Sequence, residues 1–106
     1  MPRWDARTDG PHAIIREAVR RAGYTWHDTF RCGGGYPDAT VISKSGVIAF
    51  IEVKSEKGEL NKAERAFWDA CTGPKALVRT PEDALAFLEY LDEMRLEYVD
   101  ETSVTS

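Results

Sequence analysis

The chain has 106 residues, of which 42% are hydrophobic and 30% charged, and its formal net charge is −4. These values are typical of a globular protein, and the length suits one domain with one core. No apolar run approaches the roughly 20 residues that span a bilayer. The first ten residues also lack the apolar segment of a secretion signal. We therefore expect a cytoplasmic protein without a membrane segment.

The charge is unevenly distributed along the chain. Residues 82–106 hold eight acids and one base, so residues 1–81 carry a net charge of +3. The acidic segment is typical of a solvated helix and tail. The mildly basic remainder permits phosphate binding without indicating it.

The first half of the chain predicts one helix and three strands. PHAIIREAVRRAG has an amphipathic helical pattern that begins at Pro11 and ends at Gly23. The aromatic and β-branched residues 24–30 predict a strand, which the loop RCGGGYPD follows. ATVIS (39–43) and VIAFIEVKS (47–55) predict an antiparallel hairpin with a short glycine-containing turn.

The second half predicts a helix, a strand and another helix. Asn61 and Glu64 form the pattern of a capping box at the start of NKAERAFWDAC. KALVR (75–79) is a short strand, and Thr80 followed by Pro81 begins the last helix. The resulting order, α-β-β-β-α-β-α, indicates an α/β fold with a mixed sheet flanked by helices. We expect an ordered core over about residues 9–95, with flexible tails at 1–8 and 99–106.

The strand VIAFIEVKS carries two charges after an apolar run. Side chains alternate along a strand, so Glu52 and Lys54 share a face with Ile48 and Phe50. Both faces begin with apolar residues, so we expect both to be covered. Taken alone, the Glu-x-Lys pair fits an ion pair at the rim of the sheet.

Asp38 adds a second carboxylate to this strand end. In a hairpin that turns at residues 44–46, position 38 pairs near Glu52, which puts the two side chains about 5–7 Å apart. Two such carboxylates repel each other unless a cation lies between them, and Mg²⁺ prefers these oxygen ligands. Lys54 would then orient the attacking water or stabilise a charged transition state. The Gly33–Gly35 run would either let a sugar-phosphate backbone approach or form a flexible loop.

Pro37-Asp38 followed by Glu52-Val53-Lys54 resembles the signature of the PD-(D/E)XK nucleases. The wider frame GGGYPD…IEVKSEKGELNKAERAFW resembles the small stand-alone VRR-type (VRR-NUC) nuclease domains that are common in phages and mobile elements. The resemblance implies a restriction-endonuclease-like αβββαβ core, here with an added C-terminal helix. It also implies that Asp38, Glu52 and the Val53 carbonyl bind Mg²⁺, for which Mn²⁺ can substitute, and that Lys54 is catalytic.

Two positions depart from the pattern of these nucleases. The helix after Glu-x-Lys usually carries a glutamine where this chain has Glu64. Glu64 would either contact a metal-bound water or serve only the helix cap, and we favour the cap. His12 occupies the place of a glutamate ligand found early in the first helix of many relatives. It would bind phosphate or an outer-shell water, or simply lie at the surface.

Further residues near the motif are candidates for DNA contacts. Arg31, Lys57, Lys62 and Arg65 flank it in sequence and would bind backbone phosphates, with Gly34 and Gly35 beside them. Trp26 and Trp68 favour a core or dimer-interface role over base stacking.

We therefore expect a Mg²⁺-dependent DNA endonuclease, as a homodimer acting on branched, flapped or junction DNA. Phage or host replication and recombination proteins would be its partners. One alternative is a catalytically weak or inactive DNA-binding or assembly module with the same fold, and another is a structural protein with a rim ion pair. A zinc site is the weakest alternative. Its candidate ligands are Cys32, Cys71, His12 and His27, and no two of them have the spacing that is typical of a zinc site.

Overall fold

The computed structural model describes residues 10–105, with side chains for residues 10–95. The helices are α1 (Pro11–Arg21), α2 (Lys62–Ala70) and α3 (Pro81–Thr105), and the strands are β1 (Thr25–Asp28), β2 (Ala39–Ile42), β3 (Ile48–Val53) and β4 (Lys75–Val78). Strand β1 ends at Asp28, two residues before the predicted end at Phe30, and a 3₁₀ turn follows at Phe30–Cys32. The predicted tail at 1–8 lies outside the described residues, and the backbone of residues 99–105 continues α3.

The predicted helix starts are confirmed by their hydrogen bonds. Asn61 Oδ1 accepts from the Glu64 amide at 2.8 Å, and Glu64 Oε1 accepts from the Asn61 amide at 2.8 Å, which completes the capping box. Thr80 Oγ1 accepts from the Asp83 amide at 3.1 Å and caps α3. Pro11 occupies the first turn of α1, where its missing N–H leaves no helical bond unmade.

The four strands form one mixed sheet in the order β1-β2-β3-β4. The pairs β1–β2 and β2–β3 are antiparallel, and β3–β4 is parallel because α2 crosses over between them. The predicted hairpin is confirmed, with Ala39 opposite Ile51. Continuing that register by one residue places position 38 opposite position 52.

The two faces of the sheet differ in how well they are covered. Helices α1 and α3 cover one face and build the described hydrophobic core with it: Ile15, Val19, Tyr24, Trp26, Ala39, Val41, Ala49, Ile51, Val78, Ala84, Leu88 and Leu91. On the other face lies α2, of whose residues none is buried. Its Phe67 ring contacts Phe50 and Tyr36, with ring centroids 5.6 and 5.2 Å apart.

The expectation that both faces of the β3 strand are covered throughout is wrong at its start. Ile48 is 58% exposed, because α2 lies over the far end of the strand only. Within residues 10–105, no helix combines the length and apolar character needed to cross a membrane.

The glycine run brings α2 close to the loop before β2. Gly33, Gly34 and Gly35 all have positive φ, at 71°, 64° and 84°. A Cβ on Gly35 would overlap the carbonyl oxygen of Ala63 and lie 2.9 Å from the Glu64 amide nitrogen, whereas a Cβ on Gly34 would meet nothing within 4 Å. The backbone that approaches Gly35 closely is therefore that of α2 in the same chain.

This contrast predicts different effects of two alanine substitutions. Both Gly34→Ala and Gly35→Ala incur the backbone cost of a positive φ, about 1–2 kcal/mol. Only Gly35→Ala adds a collision with α2, which costs about 1–3 kcal/mol more. Urea unfolding of the two variants measures the difference, and equal midpoints would contradict the described packing of α2.

Candidate active site

A cleft of about 280 Å³ opens where β3 ends, between α1 and α2. Its walls come from α1, the loop before β2, the end of β3 and the first turns of α2: Pro11, His12, Asp38, Glu52, Val53, Lys54, Ser55 and Glu64. The cleft therefore joins the residues predicted as catalytic or metal-binding, and the two predicted as accessory.

Asp38 is fixed at the end of the hairpin by hydrogen bonds on both sides. Its Oδ2 accepts from the Val53 amide at 2.8 Å, so the carboxylate is tied to the backbone of β3. Its carbonyl oxygen accepts from the Thr29 amide at 2.8 Å, and the Thr29 hydroxyl donates to the Pro37 carbonyl at 2.9 Å. These bonds hold the Pro-Asp segment rigidly beside Glu52.

Glu52 is a carboxyl group in an unfavourable place for a negative charge. The residue is 3% exposed. Burial first, and then the neighbouring carboxyls of Asp38 and Glu64, raise the pKa of Glu52 to about 9. A negative charge on Glu52 therefore favours a proton or a cation beside it.

Lys54 is held in the cleft by two carboxylates. Its Nζ lies 2.7 Å from Glu64 Oε1 and 3.7 Å from Glu52 Oε2. Burial acts to lower the pKa of Lys54, but the hydrogen bond and charge of Glu64, together with Glu52, outweigh it and raise the pKa above its ordinary value. Glu64 Oε1 thus caps the helix, as the sequence favoured, and also accepts from the lysine; its contact with a metal-bound water stays a prediction.

His12 lines the cleft, and its imidazole contacts the carboxylate of Asp28. The residue is 7% exposed, and its Nε2 lies 3.0 Å from Asp28 Oδ1. Trp26 Nε1 and Arg16 Nη1 also donate to the Asp28 carboxylate, at 2.8 and 3.1 Å. Partial burial acts to raise the pKa of Asp28, but these hydrogen bonds and the Arg16 charge hold it below its ordinary value. His12 is therefore a buried, oriented imidazole rather than the surface histidine that the sequence left open.

Sequence reasoning missed Arg79, which anchors the loop after Lys54. Its Nη1 donates to the carbonyl oxygens of Ser55, Glu56 and Gly58, the last at 2.9 Å. A single arginine after a short strand gives no local signal for such contacts. Asp28 was also missed, because its partner His12 lies 16 residues away in the chain.

The other predicted contact residues lie outside this cleft. Arg31, Lys57, Lys62 and Arg65 are exposed, and neither they nor Gly34 and Gly35 belong to the cleft walls. Their DNA-binding roles stay predictions. Trp26, 4% exposed, belongs to the core, as expected.

The donor set at Asp38 and Glu52 fits a hard divalent cation. Asp38 and Glu52 are both buried and line the cleft, the pKa of Glu52 is raised, and Val53 also lies in the wall. Oxygen ligands of this kind are those that Mg²⁺ and Mn²⁺ prefer. In the described part of the chain, no group of three or more His, Cys, Asp or Glu side chains is arranged to hold a metal. Backbone carbonyl or water ligands must therefore complete such a site.

The fold and the cleft define a restriction-endonuclease-like α/β domain with a PD…ExK arrangement. Among solved structures, the chain is similar to one described as "VRR_NUC domain", with a TM-score of 0.56 and 22% sequence identity. The similarity covers 73% of this chain and 88% of the other. The chain therefore has the fold of a VRR-NUC domain, as its sequence motifs predicted. No family model matches the sequence, and neither does a curated protein.

The raised pKa of Glu52 predicts how the metal-free protein responds to pH. The folded state binds this proton more tightly than the unfolded state, so the contribution of Glu52 to stability is fully present below about pH 4.5 and is lost as pH rises towards 9. Glu52→Gln removes this loss. In EDTA at pH 8 we expect the variant to melt several degrees above wild type, since about 1 kcal/mol shifts Tm by roughly 4–8 °C in domains of this size.

The control for this measurement is Glu56→Gln, because Glu56 is an exposed glutamate in the next loop. Thermal melts between pH 5 and pH 9 should show a growing advantage for Glu52→Gln and no trend for Glu56→Gln. An advantage that stays constant with pH would contradict the assignment of the proton to Glu52.

Proposed function

We propose that this protein is a metal-dependent nuclease that hydrolyses phosphodiester bonds in DNA. The observation that carries the proposal is the convergence of Asp38, Glu52 and Lys54 on one cleft from two adjacent strands. Two carboxylates and one ammonium within a single cleft suit phosphoryl chemistry, in which negative charge must be neutralised as it develops. The VRR-NUC fold supports the same reaction class.

Asp38 and Glu52, with the Val53 carbonyl, would hold Mg²⁺ or Mn²⁺. When bound, such an ion lowers the pKa of a coordinated water and polarises a phosphoryl oxygen. Lys54 supplies a fixed positive charge for the reacting phosphate or orients the attacking water, and Glu64 holds its Nζ in place. The sequence shows no recognisable Ser-His-Asp or Cys-His arrangement, so hydrolysis by water is the reaction that these residues support.

A weaker or inactive DNA-binding module is the second candidate, and the Lys54–Glu64 pair favours it. At 2.7 Å this ion pair directs the lysine towards α2 and competes with a substrate phosphate. Where related nucleases carry a neutral glutamine, this chain has the charged Glu64. If the pair restrains catalysis, Glu64→Gln raises the cleavage rate. If it only positions the lysine, the same variant leaves the rate unchanged or lowers it.

Divalent ions should stabilise the protein through Asp38. A ligand at ten times its Kd adds about 1.4 kcal/mol to the free energy of unfolding. We therefore expect Mg²⁺ and Mn²⁺ to raise Tm by several degrees in wild type, and not in Asp38→Ala. An equal rise in both proteins would place the ion elsewhere. The measurement needs no DNA, so it tests the metal site apart from catalysis.

Cleavage of linear, flapped and four-way DNA in Mn²⁺ tests the reaction itself. Replacing Lys54 by alanine should reduce the rate about 10²–10³-fold, which is typical when one preorganised charge at a transition state is removed. Lys44→Ala is the control, because this lysine is exposed in the turn between β2 and β3 and does not line the cleft. Wild-type rates in Lys54→Ala would remove the role assigned to the lysine. Preference among the DNA forms, the homodimer and the replication or recombination partners stay predictions.

A further inference from the structure

A second cleft, of about 320 Å³, lies beside the candidate active site. We call it the Trp68 cleft, and its walls are Glu59, Leu60, Arg65, Trp68, Leu77 and Arg79. It combines apolar side chains with two arginines and one acid. Its size is at the lower end of the range of small-ligand pockets, about 300–1,000 Å³.

The strand register places this cleft next to the catalytic carboxylates. Leu77 on β4 is the register partner of Glu52 on β3, so the two side chains lie on the same face of the sheet. Neighbouring strands are about 4.8 Å apart. On α2, Glu64 lines the first cleft and the next residue, Arg65, lines the second. The two clefts are therefore neighbours at the same part of the sheet.

Trp68 does not belong to the hydrophobic core. Helix α2 has no buried residue, and the Trp68 side chain is half-buried. Lys75 Nζ lies 5.7 Å from the centre of its ring, and this lysine also donates to the Cys71 carbonyl. With Leu60 and Leu77, the indole gives the cleft an apolar wall of the kind on which nucleic-acid bases stack.

Arg79, in the wall of the Trp68 cleft, is held by several hydrogen bonds. In the described part of the chain, the side-chain hydrogen bonds of Arg79 all run from Nη1, to the loop carbonyls of Ser55, Glu56 and Gly58. The guanidinium is thus fixed before a ligand arrives, which reduces the entropy lost on binding. Arg65 adds an exposed second cation at the same cleft. Two arginines against one glutamate leave the walls positive, which complements a phosphate group.

We propose that the Trp68 cleft binds one nucleotide of the DNA strand, next to the phosphodiester in the catalytic cleft. The base lies against the Trp68 indole and the two leucines, and the adjoining phosphate contacts Arg65 and Arg79. The inference rests on the proposed nuclease function, because it takes DNA as the ligand. It assigns Trp68 to substrate binding, where the sequence favoured a core or interface role.

Binding of a fluorescein-labelled single strand and a flapped duplex in EDTA tests the proposal without any cleavage. Trp68→Ala should weaken binding about tenfold, because one stacked base is worth about 1–3 kcal/mol. Trp68→Phe keeps an aromatic face and should retain most of the affinity. Arg65→Gln should weaken binding and reduce the salt dependence by about one charge. Tyr90→Ala removes an aromatic that is 55% exposed on α3 and should bind as wild type does.

Each outcome supports or overturns the assignment. Wild-type affinity in either Trp68→Ala or Arg65→Gln would overturn it, and so would an absence of DNA binding by the wild-type protein. If Trp68→Ala does not fold, Trp68→Phe and Arg65→Gln still decide, because loss of affinity in Arg65→Gln with an unchanged Tm supports the cleft. Binding that depends on Trp68 in a protein that cleaves no DNA would support this inference while contradicting the proposed catalysis.

Discussion

The candidate active site depends on the antiparallel register of β2 and β3. That register brings Asp38 opposite Glu52, and it lets the Asp38 carboxylate accept a hydrogen bond from the Val53 amide. A slip of one residue would turn the Asp38 side chain to the other face of the sheet. The turn at the far end of the hairpin fixes the register, and Asp92 on α3 fastens that turn by accepting from the amide and hydroxyl of Ser45 at 2.9 and 2.7 Å. A surface contact distant from the cleft thus helps to set its geometry.

The apolar core and the charged cleft lie on opposite faces of the sheet. The face under α1 and α3 buries the described core, whereas the face under α2 carries the charged cleft and leaves Ile48 exposed. Three carboxyl groups and one ammonium gather there, and the burial of Glu52 opposes a negative charge on it. Small domains have only a few kcal/mol of net stability, so this charge set is tolerable only beside an intact apolar face.

The sequence predicted the features that depend on residues close to one another in the chain. The caps at Asn61 and Thr80 and the hairpin follow from side chains within a few residues of one another. Pairing across the hairpin then predicted that Asp38 meets Glu52. The rest required contacts between distant segments: Asp28 behind His12, Arg79 on the loop after Lys54, and α2 against the glycine run. Pattern and spacing carry no information on these contacts, since each depends on how whole elements pack.

Helix α2 lines both clefts. It buries no residue of its own, and its contacts include the ring of Phe67 against Phe50, the backbone approach at Gly35 and the ion pair of Glu64 with Lys54. The last of these belongs to the candidate active site, so part of the energy that positions α2 comes from the charges of that site itself. Trp68 lies one helical turn from Glu64 on the same helix. A change in the charge balance around Lys54 therefore acts on both clefts, and the residues that would do the chemistry also help to position the surface that would hold the strand.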